Sequence, residues 1–398
     1  MFVGGSWPCI LLLYLYGLVA TSLVTQSVPV IGDIAHAFGV PIPSAGWIIS
    51  IPSLVTAIAA MGGGWLSDNV GDRRVIFWGS ISAFIGNLGV FFAQDYGVLM
   101  AFRLLEGVGY LALTVGAVTM IMRTTQGSRR SIALGLWTSH TSCGIGLTLI
   151  LVAPLAQKGD AWRWAFGGHA VIMAVLAAAS VFLPKMDPNH VSRRFVDIAT
   201  VLRSRGPWRI AVASCASAFI QTGIMAALTV YLARTYSVSI PVAAGVGFGA
   251  EIVNAIGCLS VGFLLKNGWS ARLLALGGGV VMLLGGLALY APDVSFAEAG
   301  VATAVFGFGI GVVNGLIWAM VPSVSPSRET MGATSGLVAQ ATYLGVLLGP
   351  PAIFATMHAQ GWTMRLMLVA GACIVQLLPL PIWSRSARNA VGITPVVH

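Results

Sequence analysis

Three ionisable residues fall where ionisable residues are costly. Arg103 and Glu106 lie inside the apolar run LMAFRLLEGVGYLAL, and Glu251 lies inside VGFGAEIVNAIG. A charged side chain inside hydrocarbon costs at least about 2.5–3.5 kcal/mol on insertion scales, so each needs a partner, a wet cavity or a task. Arg103 and Glu106 are three residues apart and share a helix face, so they can pair. One reading makes them a structural ion pair. The other makes them proton-sensitive, with protonation of Glu106 releasing Arg103 for another contact. Glu251 has no basic residue within a helical turn, and Ala250, Ile252 and Val253 flank it. Desolvation penalises the charged form of such an acid, which makes Glu251 a candidate for proton uptake and release. Its competing reading is a carboxyl hydrogen-bonded to Asn254 in a packed seam.

A second set is polar but uncharged. His140 sits in the run Thr138–Ser139–His140–Thr141–Ser142, and Gln221, Asn254, Asn314, Gln340 and Tyr343 interrupt other apolar stretches. Lipid cannot satisfy such groups. Each alone is most simply interhelical glue; together they are candidates for lining a polar cavity that binds substrate. The glycine runs Gly245–Gly249 and Gly307–Gly311 lie in apolar stretches with no preceding strand. Close helix approach explains them better than phosphate binding. No nucleophile–base pair or carboxylate dyad stands out, and Cys9, Cys143, Cys215, Cys258 and Cys373 have no paired spacing. No metal or cofactor is implied, and the chain is not expected to be an enzyme.

The elements that must position these residues follow from composition. The chain has 398 residues, 57% hydrophobic, with 49 glycines and only 8% charged. Soluble domains carry about 25% charged residues, so a soluble enzyme, a disordered chain and a nucleic-acid binder are all disfavoured. A bilayer core about 30 Å thick takes roughly 20 apolar residues per helical span. The apolar runs predict about twelve spans, near 9–31, 45–66, 75–93, 97–122, 131–155 and 164–183, then 209–233, 241–265, 272–291, 297–321, 331–355 and 364–384. The expected fold class is an all-α polytopic membrane protein of two pseudo-symmetric six-helix bundles, 1–183 and 209–398. A cytoplasmic central segment, 184–208, joins them, and its VDIATVLR stretch suits a surface amphipathic helix. The amino-terminal apolar run has no basic residue before it and reads as the first span rather than a removed signal.

Charge sets the expected orientation. Of the 21 Lys plus Arg, 16 fall on the side shared by both termini and the 184–208 segment, while Lys158, Arg163, Arg234 and Arg365 fall on the other side and Arg103 inside a span. The positive-inside rule therefore places both termini in the cytoplasm. It also accounts for the formal net charge of +9 without any nucleic-acid partner. Trp78, Trp162, Trp164, Trp208, Trp269, Trp362 and Trp383 fall near span ends, as an interfacial belt would.

The two halves look weakly alike. GWLSDNVGDRR follows span two and GFLLKNGWSAR follows span eight, and Gly135-Leu136…Gly144 matches the spacing of Gly336-Leu337…Gly345. The stretch from Gly64 through Asp68 and Gly71 to Arg73 and Arg74, in its place between spans two and three, resembles the signature loop of the major facilitator superfamily. Arg103-Leu104-Leu105-Glu106-Gly107-Val108-Gly109 is similar to that family's fourth-span pattern of an arginine followed by a glycine pair. ALGLWTSHTSCGIG and DAWRWAF resemble the cyanate-permease-like group of small-solute porters.

This resemblance implies a secondary active transporter in a bacterial inner membrane, moving a small organic solute by alternating access, with proton coupling through Glu251, Glu106 or both. Protons, the solute and membrane lipid are its implied partners, and it is implied to work as a monomer. It also implies that Asp68 latches an inner gate, with Gly64 and Gly71 allowing close approach and Arg73, Arg74, Arg129 or Arg130 supplying positive charge. Two departures stand out: Asp72 occupies a position that is usually basic, and Lys266 stands near the place of the acid in the second-half copy. The alternatives are a proton-driven drug or metabolite exporter and, from another class, a membrane receptor or enzyme. The fifth span, CGIGLTLILVAP, lacks the Gly-Pro-rich pattern of drug/proton antiporters, which weighs against the exporter.

Overall fold

Apolar runs of this length can satisfy their backbone groups in lipid only as helices or closed barrels, and their glycine- and alanine-rich texture suits close-packed helices. A computed structural model of the chain describes residues 2–185, 195–327, 330–356, 362–378 and 380, and no β-strand occurs among them. The first half contains α1 (Trp7–Thr25), a short α2 (Ile31–Ala37), α3 (Ile42–Ser50), α4 (Pro52–Val70), α5 (Asp72–Phe92), α6 (Tyr96–Thr124), α7 (Gly127–Thr138), α8 (His140–Val152) and α9 (Arg163–Ala179). The amphipathic stretch forms α10 (Phe195–Arg203). The second half contains α11 (Arg205–Tyr236), α12 (Ile240–Lys266), α13 (Ala271–Leu289), α14 (Phe296–Val324), α15 (Met331–Thr356) and α16 (Trp362–Leu377).

Among the described residues nine helices are long and apolar enough to cross a membrane, or ten with α3 and the first half of α4 taken as one span bent by 47°; His140–Leu155 and Leu366–Leu377 are shorter apolar helices. Segment by segment these answer to the twelve expected spans, with two breaks the apolar runs did not announce. Span two breaks at Ile51 because Pro52 has no N–H to return to the carbonyl of Ile48. Span five breaks at Ser139, where side chains compete for the helix carbonyls: Ser139 Oγ donates to the Leu136 carbonyl (2.8 Å), and His140 Nδ1 bonds the Trp137 carbonyl.

The signature segment is less of a loop than expected. Helix α4 runs through Val70, only Gly71 leaves helical geometry, and α5 starts at Asp72. Gly71 has φ of 92°, a conformation that favours glycine. The side-chain environments of Gly64 and Asp68 lie outside the described residues.

The buried side chains reveal how the halves meet. One hydrophobic core draws on both, combining Ile34, Ile48, Leu149 and Trp162 with Ile224, Leu228, Phe306 and Phe354. The others do not mix. One belongs to the first half, with Tyr343 as its single visitor, and two belong to the second half. The halves are therefore joined at the end carrying the turns near residues 26–41, 93–95 and 153–162, and keep separate cores toward the end carrying Gly71 and α10.

Contacts across this seam are close. A Cβ on Gly46 of α3 would lie 2.7 Å from Cα of Pro351 in α15, and one on Gly146 of α8 would lie 3.0 Å from the Phe248 ring of α12. The glycine run in α14 serves packing as expected: a Cβ on Gly311 would fall 2.1 Å from the carbonyl oxygen of Asn254.

Candidate functional site

Arg103 is fully buried, and its guanidinium is saturated by atoms the sequence pattern did not name. The last carbonyls of a helix have no intrahelical partner, and α1 ends at Thr25. Arg103 Nη1 donates to the Leu23 carbonyl (3.0 Å) and Nη2 to the Val24 carbonyl (2.9 Å). Its Nε donates to the Ile48 carbonyl (2.9 Å), the one Pro52 leaves orphaned, and Nη2 reaches the Ile49 carbonyl at 3.5 Å. Glu106 completes the set by pairing with Nη1, as the three-residue spacing predicted. The Phe166 ring lies under the guanidinium at 5.7 Å. Four carbonyls from two helix breaks hold Arg103 besides Glu106.

A second buried acid, Asp72, entered the sequence reading only as a departure from pattern. It is fully buried at the first position of α5, accepts from Ser67 Oγ, and pairs with Nη1 of Arg123 in the last turn of α6 at 3.0 Å. Acid at a helix N-terminus and base at a C-terminus each complement the helix dipole, a signal that could have found this pair. Two of the arginines expected near the signature segment also bond backbone carbonyls. Arg129 donates to the Gly5 carbonyl (3.3 Å), and Arg130 to those of Thr125 and Met122 (both 2.8 Å). Arg73 is half-buried and Arg74 exposed.

Glu251 is different in kind. It is buried on α12 where that helix faces α8, with its Cβ 3.8 Å from a Cβ built on Gly146. Asn254 Nδ2 donates to Oε2 at 3.1 Å. Oε1 has no hydrogen-bond partner among the described residues. No cation pairs with Glu251 among the described residues.

The uncharged candidates separate into groups. Gln221 and Asn314 come together: Asn314 Nδ2 donates to Gln221 Oε1 (2.9 Å), and Ser217 Oγ donates to Asn314 Oδ1 (2.6 Å), tying α11 to α14. Gln340 and Tyr343, both on α15, reach across to the first half. Gln340 Nε2 donates to the Ile58 carbonyl (3.1 Å), and Tyr343 Oη accepts from Tyr110 Oη (3.2 Å). His140 joins neither group, since it is buried at the α7–α8 break with its ring 4.3 Å from that of Trp137. His169, by contrast, belongs to a chain within the first half: its Nε2 bonds Ser22 Oγ (2.7 Å), which accepts from Thr148 Oγ1 (2.6 Å).

Two sets of apolar helices that share a core at one end, with buried ionisable groups inside and at the seam, define an integral, polytopic helical membrane protein. The chain belongs to the Major Facilitator Superfamily, whose family model matches residues 10–350. It is similar to the cyanate transport protein of Escherichia coli K12, at 27% identity over 38% of this chain and 40% of that one. It is also similar to the bacillibactin exporter of Bacillus subtilis 168, at 23% identity over 94% of this chain and 95% of the exporter. The first relatives it matches align over only 25% to 40% of their own length. Among solved structures it resembles a bacterial homologue of the human lysosomal transporter Spinster in an inward-facing, unoccupied conformation, with a TM-score of 0.76, 16% identity, and coverage of 94% of this chain and 96% of that chain. That likeness is one of fold.

Proposed function

We propose that this chain is a secondary transporter that carries a small organic solute across a bacterial cytoplasmic membrane by alternating access, as a monomer with both termini in the cytoplasm, and that Glu251 couples the movement to protons. Bundles 1–183 and 209–398 rock against each other about the 184–208 segment, as parallel-repeat transporters do. The observation that carries the coupling is the half-satisfied carboxyl of Glu251 at the seam. A carboxylate there is costly while the seam is closed and recovers hydration when it opens; a protonated acid bears little of that cost. Protonation therefore favours the closed seam, the differential interaction a coupling group needs.

In this reading Gln221, Asn314, Gln340 and Tyr343 contact the solute, with Asn254 orienting Glu251, while His140 and the Arg103–Glu106 pair are scaffold. The Gly64–Arg74 segment gates the cytoplasmic mouth, with Asp68 as its latch. The separate cores toward that end support a mouth there. A thermal-shift screen of the purified protein against a solute library at two pH values identifies the solute. In proteoliposomes Glu251→Gln then abolishes accumulation driven by a proton gradient and keeps solute exchange, because exchange does not require the acid to titrate. Unchanged accumulation makes Glu251 structural and defeats the coupling.

A second reading, proton-driven export of a metabolite, is favoured by one observation: a relative that aligns over 95% of its own length is an exporter. Reversing the gradient across the same proteoliposomes separates the two directions.

A further inference from the structure

Outside the seam, a strongly basic feature lies where α10 meets α11. Arg203, Ser204, Arg205, Trp208, Arg209 and Val212 line a shallow cavity of about 530 Å³. All three arginines are exposed, no acid lines the cavity, and none of the three joins an ion pair among the described residues. The walls are fixed. Val201 of α10 is fully buried in a small core with Ala211 of α11 and Leu337 of α15, and Trp208 Nε1 donates to the Leu202 carbonyl at 2.9 Å. The apolar side is open, with Trp208 45% and Val212 42% exposed.

On a helix of 3.6 residues per turn, Arg205, Arg209 and Val212 share one face of α11. Ser214, Ser217 and Gln221, which bond to α14 and α15, lie on another. The cavity therefore opens away from the polar groups between helices. It sits at the start of a long apolar span, beside an amphipathic helix.

We propose that this cavity binds the phosphate of an anionic phospholipid. Guanidinium groups match phosphate oxygens in a bidentate fork. Trp208 and Val212 offer the apolar contact that a glycerol backbone and its first acyl carbons need, as interfacial aromatics do. A soluble phosphate would have no use for that apolar wall. Basic clusters at the end of a span attract anionic lipid by about fivefold per residue.

The test uses the full chain in nanodiscs of phosphatidylcholine containing a minor fraction of phosphatidylglycerol, with protein-bound lipid read by native mass spectrometry. The wild type is expected to retain phosphatidylglycerol above its share of the disc. Arg205→Gln and Arg209→Gln each lower that enrichment about fivefold, while Arg209→Lys, which keeps the charge, lowers it less. Arg272→Gln, an exposed arginine at the start of α13, leaves it unchanged. Unchanged enrichment in the Arg205→Gln/Arg209→Gln double variant overturns the proposal, and so does an equal loss with Arg272→Gln. Equal thermal stabilisation by inorganic phosphate alone, in discs of pure phosphatidylcholine, also overturns it by making the cavity a site for a soluble anion.

Discussion

The interior of the first half and the seam between the halves treat buried polarity in opposite ways. Inside the half, Arg103 spends its guanidinium on four carbonyls and a carboxylate, and Asp72 takes both a hydroxyl and a guanidinium. Among the described residues, two polar contacts that cross the seam are single and neutral: one amide to one carbonyl at Gln340–Ile58, and one hydroxyl to another at Tyr110–Tyr343. The charged candidate there, Glu251, keeps one oxygen without a partner among the described residues. Removing one member of a buried ion pair costs about 3–5 kcal/mol, whereas an ordinary hydrogen bond contributes about 0.5–1.5. A body that must stay rigid can hold the first kind. In the proposed alternating-access cycle the seam parts and re-forms, and bonds of the second kind cost least to break. On that proposal the distribution of polar contacts separates scaffold from hinge.

The largest effect expected from this contrast is at Arg103. Arg103→Met leaves Glu106 as an uncompensated buried acid and strips the partners from the carbonyls of Leu23, Val24, Ile48 and Ile49. A loss of about 3–5 kcal/mol is expected, seen as collapse of the monodisperse yield after extraction and a lower melting temperature. A stable, normally melting Arg103→Met protein that fails only in proton-driven accumulation would move Arg103 from scaffold to coupling and break the comparison.

Asp72 comes next. Asp72→Asn keeps the shape and the contact with Ser67 but removes the charge facing Arg123, with an expected cost of about 1.5–3 kcal/mol, as for hydrogen bonds to charged groups. A double-mutant cycle with Arg123→Met isolates the pair. A coupling energy near zero would show that the tie between the α4–α5 turn and the end of α6 is incidental, and the rigid interior would shrink accordingly.

How much of this could be read from the sequence depends on where each partner came from. The Arg103–Glu106 and Glu251–Asn254 pairs were legible because both members lie three residues apart on one helix, and the periodicity alone brings them together. The carbonyl partners of Arg103 were not, because a carbonyl is a partner only where a helix fails, and the failures at Thr25 and Pro52 lie about 80 and 50 residues away in sequence. Pro52 was a legible cause without a legible consequence. Asp72–Arg123 stayed hidden for a different reason. Asp72 read only as part of a loop, whereas α4 continues through Val70 and Asp72 is fully buried at the start of α5. The twelve apolar segments were legible in number and place because hydropathy depends on composition. The break at Ser139 was not, because it turns on hydrogen bonds between His140, Ser139 and the preceding turn. Each member of the polar set is legible as a polar residue in an apolar run. Its division into a Gln221–Asn314 pair within one half and a Gln340–Tyr343 pair across the seam requires the packing of α15 against α4 and α6.

The smallest expected effect is the sharpest test of the contrast, since it compares two hydroxyls of the same chemistry. Tyr343→Phe removes the acceptor of Tyr110 across the seam but keeps the edge-to-face ring contact, whose centroids are 5.6 Å apart. Tyr14→Phe removes a matching bond inside the first half, from Tyr14 to Ser139 at 3.1 Å. Each costs about 0.5–1.5 kcal/mol in the structure seen here. In the seam variant that cost falls on the closed state alone, because Tyr110 finds water once the halves part. The open population should therefore rise by about two- to tenfold. In the interior variant both states lose the same bond and their balance does not move. Spin labels on Val98 and Val242, exposed residues at the ends of α6 and α12 where the halves are joined, report the distance directly once Cys9, Cys143, Cys215, Cys258 and Cys373 are replaced. A longer-distance population that grows with Tyr343→Phe and not with Tyr14→Phe is the expected result. Equal shifts in the two variants would mean that the bond between Tyr110 and Tyr343 is no more a part of the moving seam than one within a half.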